Sequence, residues 1–313
     1  MTPQELSIHA RTAAVRLGFS AAGIADVGIL GEGSALRSWL ARGFHAGMRW
    51  MENAETREDP SRLMPGARSA VVVGAGSRTA GEAAGAGQGR IASFGRFRDY
   101  HRVMDAKLKE LLGEIRTGVS CNGVVAVDSR PVLERALARR AGLGWIGKNA
   151  ALVSPEFGPW MLLGVVVVDA EMAPDNPMES RCGECTRCLD ACPGRALVSP
   201  GVVDARRCVS YLTVEHRGEI PADFRPAVGD RIFGCDECLR ACPWGVDSAP
   251  APFMEPRLPA SLQADEISGM DGDAFLARFA GTPLMRAGRD RMARNAGVVS
   301  GNNPVRSGAE SGS

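Results

Sequence analysis

Eight of the nine cysteines in this 313-residue chain fall in two runs whose spacing fixes what the polypeptide must fold around. The first run is Cys182-x2-Cys185-x2-Cys188-x3-Cys192-Pro193. The second is Cys235-x2-Cys238-x3-Cys242-Pro243, with Cys208 upstream. The first run carries the bacterial ferredoxin pattern in full, proline included. Three thiolates two residues apart wrap corners of one Fe4S4 cube, and the fourth, after a longer step, ligates the other cube. The second run lacks its first cysteine, and Cys208 is the natural substitute. Two cubes need eight thiolates, and eight are present. The spacing therefore predicts one cluster on Cys182, Cys185, Cys188 and Cys242, and another on Cys192, Cys208, Cys235 and Cys238. A chain built this way passes electrons singly over a short distance.

Other readings of the cysteines account for less. Zinc takes four thiolates from paired CxxC steps, but two zinc sites need neither the third cysteine of the run nor the prolines. Disulfide frameworks belong to small secreted domains. The N-terminus, MTPQELSIHARTAAVRLG, has no apolar signal core, and the longest apolar stretch, Met161 to Val168, is only strand length. A reduced cytoplasmic compartment and no membrane span are expected. Cys121, the cysteine left over, reads as a small apolar residue at a strand start.

Net charge is +1, so no global basic field announces nucleic acid. A local group of Arg206, Arg207, His216, Arg217, Arg225 and Arg231 surrounds the second cysteine run; by composition alone it reads as a solvated face. The length predicts two lobes. Helical periodicity covers residues 4–17, stopping at Gly18, and Asp99 to Arg116. Ser34 is expected to cap a helix running to Arg42, and Pro131 to open one running to Arg140. Asp204 is expected to cap a helix running to His216. Strands are expected at Ala21–Val27, Ser69–Val73, Val124–Val127 and Met161–Val168. Asn53 to Gly66, with two prolines, reads as loop, as does the glycine–alanine stretch from Gly74 to Gly89. A basic helical segment spans Phe275 to Asn295, broken near Gly281–Pro283. The order of elements is not a clean βαβ repeat, so the class expected is α+β. The expected division is a first lobe over 1–170, a two-cluster ferredoxin-like lobe over 171–250, a helical segment over 251–300 and a disordered tail over 301–313.

Three stretches outside the cysteines carry a more specific signal. They are Arg98-Asp99-Tyr100-His101; Val127-Asp128-Ser129-Arg130-Pro131-Val132-Leu133-Glu134-Arg135, running on to Arg140-Ala141-Gly142-Leu143-Gly144-Trp145-Ile146-Gly147-Lys148-Asn149; and Asp204 to Gly218 (DARRCVSYLTVEHRG). With the cysteine runs in this order, the chain resembles the epoxyqueuosine reductase family, cobalamin-dependent iron–sulfur enzymes of tRNA queuosine synthesis, over nearly its whole length. The resemblance implies a nitroreductase-like cobalamin-binding lobe, similar to that of reductive dehalogenases, ahead of the clusters. It implies a base-off corrinoid with no protein histidine ligand, which suits a chain of four histidines. It also implies an external electron donor and, as substrate, tRNA bearing epoxyqueuosine. A monomer is expected. Ser93 and Phe97 depart from the family's usual arginine and small residue, and the helical-repeat extension of some members is not in the chain.

Asp128 follows an apolar strand and precedes a turn and helix. That position suits a helix cap made by Asp128 or Ser129 ahead of Pro131; the resemblance implies instead the proton donor. Desolvation beside a large apolar ring disfavours the charged form of a carboxyl, and removing an epoxide oxygen as water needs protons. The resemblance further implies that Arg57, Ala92, Asp128, Leu152, Leu163, Ser210, Cys235 and Asp236 line the corrin. For the apolar ones, plain core is the competing reading. Lys148 and Asn149 are expected to brace a nearby loop, and Tyr100 and His101 to flank the substrate. His216, Arg217 and Arg231 are expected to meet tRNA phosphates. Two alternatives share these residues: a reductive dehalogenase-like corrinoid enzyme, and a two-cluster electron carrier.

Overall fold

The structure is a computed structural model that describes residues 1–80, 84–245 and 247–302. Its centre is a four-stranded sheet in the spatial order Ala21–Asp26, Ser69–Gly76, Met161–Val168, Gly123–Ala126, with every neighbouring pair antiparallel. The two middle strands pair from Ser69 with Val168 to Gly76 with Met161. Every residue of Ser69–Gly76 is buried, which explains why SAVVVGAG lacks the polar alternation of a strand wetted on one side. The alternation is instead between two apolar faces. Val71, Val73, Val166 and Val168 pack under the helices Pro3–Arg16 and Tyr100–Gly118, through Leu6, Ala10, Ala14, Met104, Leu108 and Leu111. Ala70, Val72, Val165 and Val167 pack against the helix Glu134–Arg140, through Ala136, Leu137 and Ala138.

A second core gathers chain from both halves. Its sheet has the order Arg231–Phe233, Gln88–Ile91, Ser261–Gln263, so a strand from the first half lies centrally between two from the second. Around it pack Val209 and Leu212, Ile232 and Phe233, Phe275 and Phe279, and Met292, Ala296 and Val299. The last helix, Gly288–Asn302, is keyed in by Asn295, which is fully buried. Its side-chain amide donates to the Thr213 carbonyl at 2.7 Å and the Ile232 carbonyl at 2.9 Å.

Several local expectations change. Ser34 does not cap its helix: Glu32 precedes Gly33–Ala41, and the Ser34 hydroxyl donates to the Gly31 carbonyl. The stretch read as loop holds a helix, Ala54–Glu58, and a 3-10 turn, Pro60–Leu63, capped by Asn53 and Asp59. Pro131 stands outside its helix, which begins only at Glu134. The segment after Asp204 is a 3-10 turn, Ala205–Arg207, that breaks at Cys208 before Val209–Val214. Of the expected tail, 301–302 close the last helix and 303–313 lie outside the described residues. Residues 81–83 of the glycine–alanine stretch also lie outside them. Among the described residues, no helix is long and apolar enough to cross a membrane.

Candidate active site and cluster loops

The cysteine runs fold as two similar loops. Each ends in a one-turn helix, Arg187–Asp190 carrying Cys188 and Glu237–Arg240 carrying Cys238, and the two helices lie against each other. The thiols feel each other in two groups of four. Cys188 is raised by burial and by Cys242 and Cys182, and Cys242 by burial and by Cys182 and Cys185. Cys208 is raised by burial and by Cys192, and Cys235 is pushed up to about 12 by burial with Cys208 nearby. Cys238 lies well above the ordinary thiol range, from burial and then from Cys235, Cys208 and Cys192. Half-buried thiols grouped in fours are a poor place for thiolates unless a multivalent cation neutralises them, and all are free cysteines. The donor set fits two iron–sulfur cubes.

The surrounding chain braces these loops. The Trp145 indole N–H donates to Cys182 Sγ at 3.4 Å, and the Ala196 amide to Cys192 Sγ at 3.1 Å. Lys148 Nζ donates to the Gly183 carbonyl at 2.7 Å, and Asn149 Nδ2 to the Cys238 carbonyl at 3.4 Å. A Cβ at Gly194 would stand 2.0 Å from the Arg207 carbonyl oxygen, so only glycine lets the Cys192 turn approach the Cys208 segment. Cys121 packs half-buried against the first core.

Asp128 lies two residues beyond the strand Gly123–Ala126 in left-handed backbone, φ 49°. An aspartate tolerates that region at a cost, and such strain gathers at functional sites. Neither Asp128 nor Ser129 caps the helix that follows. Instead the Tyr100 hydroxyl donates to Asp128 Oδ2 at 2.6 Å. Burial and the adjacent Asp128 charge hold the Tyr100 phenol well above its ordinary range, so it stays a donor. Tyr100 stacks on His101, ring centroids 4.0 Å apart, and His101 Nδ1 lies 2.8 Å from Asp99 Oδ1. That hydrogen bond holds Asp99 below the usual carboxylate range.

Near Asp128 lie two buried ionisable groups, Arg57 and Glu134, that sequence reasoning missed as a unit. Arg57 is buried, donating through Nη1 to the Val132 carbonyl at 3.2 Å and through Nη2 to the Trp50 carbonyl at 2.9 Å. Its Nε–H has no partner, and neither has Glu134 Oε1, although both atoms are sealed from solvent. Burial, and then the Asp128 charge, raise Glu134 to about 7. A buried donor and a buried acceptor left open are costly unless something fills them. They fit an amide-bearing ligand. The only sequence sign of Glu134 was its place in the VDSRPVLER stretch.

The remaining candidates fall in three places. Ala92, Cys235 and Asp236 meet around a small cavity also lined by Arg231, and buried Asp236 accepts from the Ser93 amide at 2.7 Å. Leu152 is buried and Leu163 half-buried in the core layer beneath the helix Glu134–Arg140, where the strand Met161–Val168 opens at its first three residues. Ser210 lies two residues after Cys208, half-buried. Of the expected phosphate contacts, Arg217 is exposed, His216 Nε2 lies 3.0 Å from the Glu219 carbonyl, and Arg231 is engaged by Glu237 at 2.7 Å. Arg206 and Arg225 likewise pair with Asp204 and Glu219, so three of the six basic side chains have an acidic partner.

Comparison with known proteins bears on both sites. Residues 57–129 match the family model "Epoxyqueuosine reductase QueG, DUF1730", and residues 181–245 match the "4Fe-4S double cluster binding domain". The chain is 40% identical to the epoxyqueuosine reductase of Xanthomonas campestris pv. campestris, over 96% of this chain and 88% of that one. An epoxyqueuosine reductase solved with an epoxyqueuosine-modified tRNA-Tyr stem loop superposes with TM-score 0.88 at 29% identity, covering 95% of this chain and 81% of that one. A Bacillus subtilis epoxyqueuosine reductase, solved with its catalytic aspartate loop swung out of the active site, gives 0.86 at 28% identity, covering 95% and 82%.

Proposed function

The chain belongs to the epoxyqueuosine reductase family, and on that premise we propose that it removes the epoxide oxygen of epoxyqueuosine at the wobble position of tRNA, leaving queuosine. It is an oxidoreductase with a domain for two [4Fe-4S] clusters. The observation that carries the rest is the Asp128 carboxyl, set on a strained turn and tied to Tyr100 at 2.6 Å. The Bacillus subtilis relative at 28% identity has its catalytic aspartate loop swung out of the active site, which supports the same role for this aspartate.

Deoxygenating an epoxide to an alkene takes up two electrons and two protons and releases water. Electrons enter one at a time from an external donor through the eight-thiolate domain. A bound cobalamin supplies a strongly reducing, nucleophilic cobalt for the carbon centre. Arg57 Nε and Glu134 Oε1 offer its amide periphery a donor and an acceptor. Ala92, Leu152, Leu163, Ser210, Cys235 and Asp236 line its seat. No histidine of the chain is needed as a ligand. Tyr100 fixes one oxygen of the Asp128 carboxyl and leaves the other to give a proton to the epoxide oxygen. Glu134, protonated over part of the neutral range, lies close enough to feel the charge this leaves on Asp128. A modified base in an anticodon loop reaches such a pocket by swinging out of the loop, with Arg217 and His216 at hand for phosphates and Arg231 behind them.

The test is reconstitution. Purified without oxygen and given iron, sulfide and cobalamin, the protein should hold about eight irons and one cobalt. With a strong reductant it should convert an epoxyqueuosine stem loop to a product lighter by one oxygen. A fully loaded preparation that leaves the stem loop unchanged would overturn the proposal.

A further inference from the structure

Trp50 is out of place for a large apolar residue: it is 47% exposed, on a 3-10 turn, Arg49–Glu52. A solitary exposed tryptophan needs no explanation, but this one is built into a structure. The Arg286 guanidinium lies 5.2 Å from its ring centroid, and Arg286 is in turn ion-paired to Glu215. Arg57 ties the Trp50 carbonyl to the Val132 carbonyl, four residues beyond Asp128. From the other side, the turn Pro283–Arg286 packs against the turn Ser93–Arg96, and the Gly281 carbonyl accepts from the Asp99 amide at 2.8 Å. The charge of Arg286 is felt at Tyr100. Two segments far apart in sequence thus converge beside Tyr100 and Asp128 and present there an aromatic face backed by a cation. The hydrogen bond to the Asp128 carboxyl comes from Tyr100 and not from Trp50 or Arg286, so the exposed Trp50 face is open to something adjacent to the reacting group.

We propose that Trp50, held by Arg286, is a stacking platform for an unpaired base next to the modified nucleotide of the RNA substrate. The inference rests on the tRNA reading above. A nucleotide swung out of its loop leaves its neighbours unstacked, and an aromatic face with a guanidinium beside it recovers stacking for any base, with no demand on sequence. Such a platform would hold the loop open and so position the modified base at Asp128.

The test is a binding cycle on the cluster-loaded protein. Trp50→Ala should weaken binding of a labelled epoxyqueuosine stem loop about tenfold by anisotropy, and Trp50→Phe should restore most of it. The loss should fall on KM more than on kcat. An abasic site at one nucleotide flanking the modified one should weaken wild-type binding similarly and add little to Trp50→Ala. Equal affinity of Trp50→Ala and wild type would overturn the inference, as would independent losses at both flanking positions. So would Trp50→Phe binding no better than Trp50→Ala while both keep wild-type iron content and circular dichroism. The two readings fail separately: wild type that does not reduce the stem loop refutes the function, whereas reduction without dependence on Trp50 refutes the platform alone.

Discussion

Asp128 and Glu134 show how much depends on single side chains here. Asp128→Asn keeps the size of the group and its contact with Tyr100 but removes the acid. Turnover should fall on the order of 100-fold or more, the usual worth of a positioned acid, with cobalamin content by absorbance unchanged. Near-normal turnover would take Asp128 out of the role. Glu134 makes a second case, through pH. Its folded value of about 7, raised by burial, exceeds the ordinary 4.5. Between those values the folded chain keeps a proton that the unfolded chain has lost, so stability falls as pH rises through that window and levels off above it. Glu134→Gln should flatten that slope and exceed wild type at pH 8 by about 1–3 kcal/mol, read as a raised thermal midpoint relative to pH 5. The same difference at both pH values would show that Glu134 does not titrate as described. Asp128 was visible in sequence as the residue ending an apolar strand. Its left-handed backbone and the burial of Glu134 were not, because both are set by what packs around the turn.

Elements with a strong period or a continuous apolar run were readable. Met161–Val168 appears as expected, and Tyr100–Gly118 starts at the Asp99 cap. Short elements were not. Asn53 and Asp59 turn an apparent loop into two helical turns with side-chain caps to the Thr56 and Ser61 amides, and a period cannot be read from four or five residues. Pro131 is compatible with a helix start but does not compel one. In the last helix Arg291, Arg294 and Asn302 also reach carbonyls of the neighbouring chain, but Asn295 is the fully buried link. Asn295→Ala would strip two buried carbonyls, of Thr213 and Ile232, of their donor. It should destabilise by about 1–3 kcal/mol, with hydrogen exchange rising first in Gly288–Asn302 and Arg231–Phe233. Exchange confined to the helix end would show that Asn295 is not the link between these elements.

At the scale of the whole molecule, two cores share one continuous chain, and the strand Gln88–Ile91 carries the first half into the second sheet. Cluster loops and candidate active site are therefore parts of one packing problem. Cys208 tests the join, since it lies well outside the second run. Cys208→Ala should cut iron by about half or more, from about eight per chain, whereas Cys121→Ala should leave it unchanged; equal iron in both variants would refute the assignment of Cys208. Cysteine spacing by itself determined that this chain holds two iron–sulfur clusters, because a cube takes most of its ligands from residues a few steps apart. Local patterning likewise determined the buried central strands, because strand period is a property of consecutive residues. Only the tertiary structure decided that Trp50 and Arg286 meet beside Tyr100, and that Arg57 Nε and Glu134 Oε1 are sealed without a hydrogen-bond partner. Burial and charge coupling depend on which distant segments cover a side chain, and no local window of sequence carries that information.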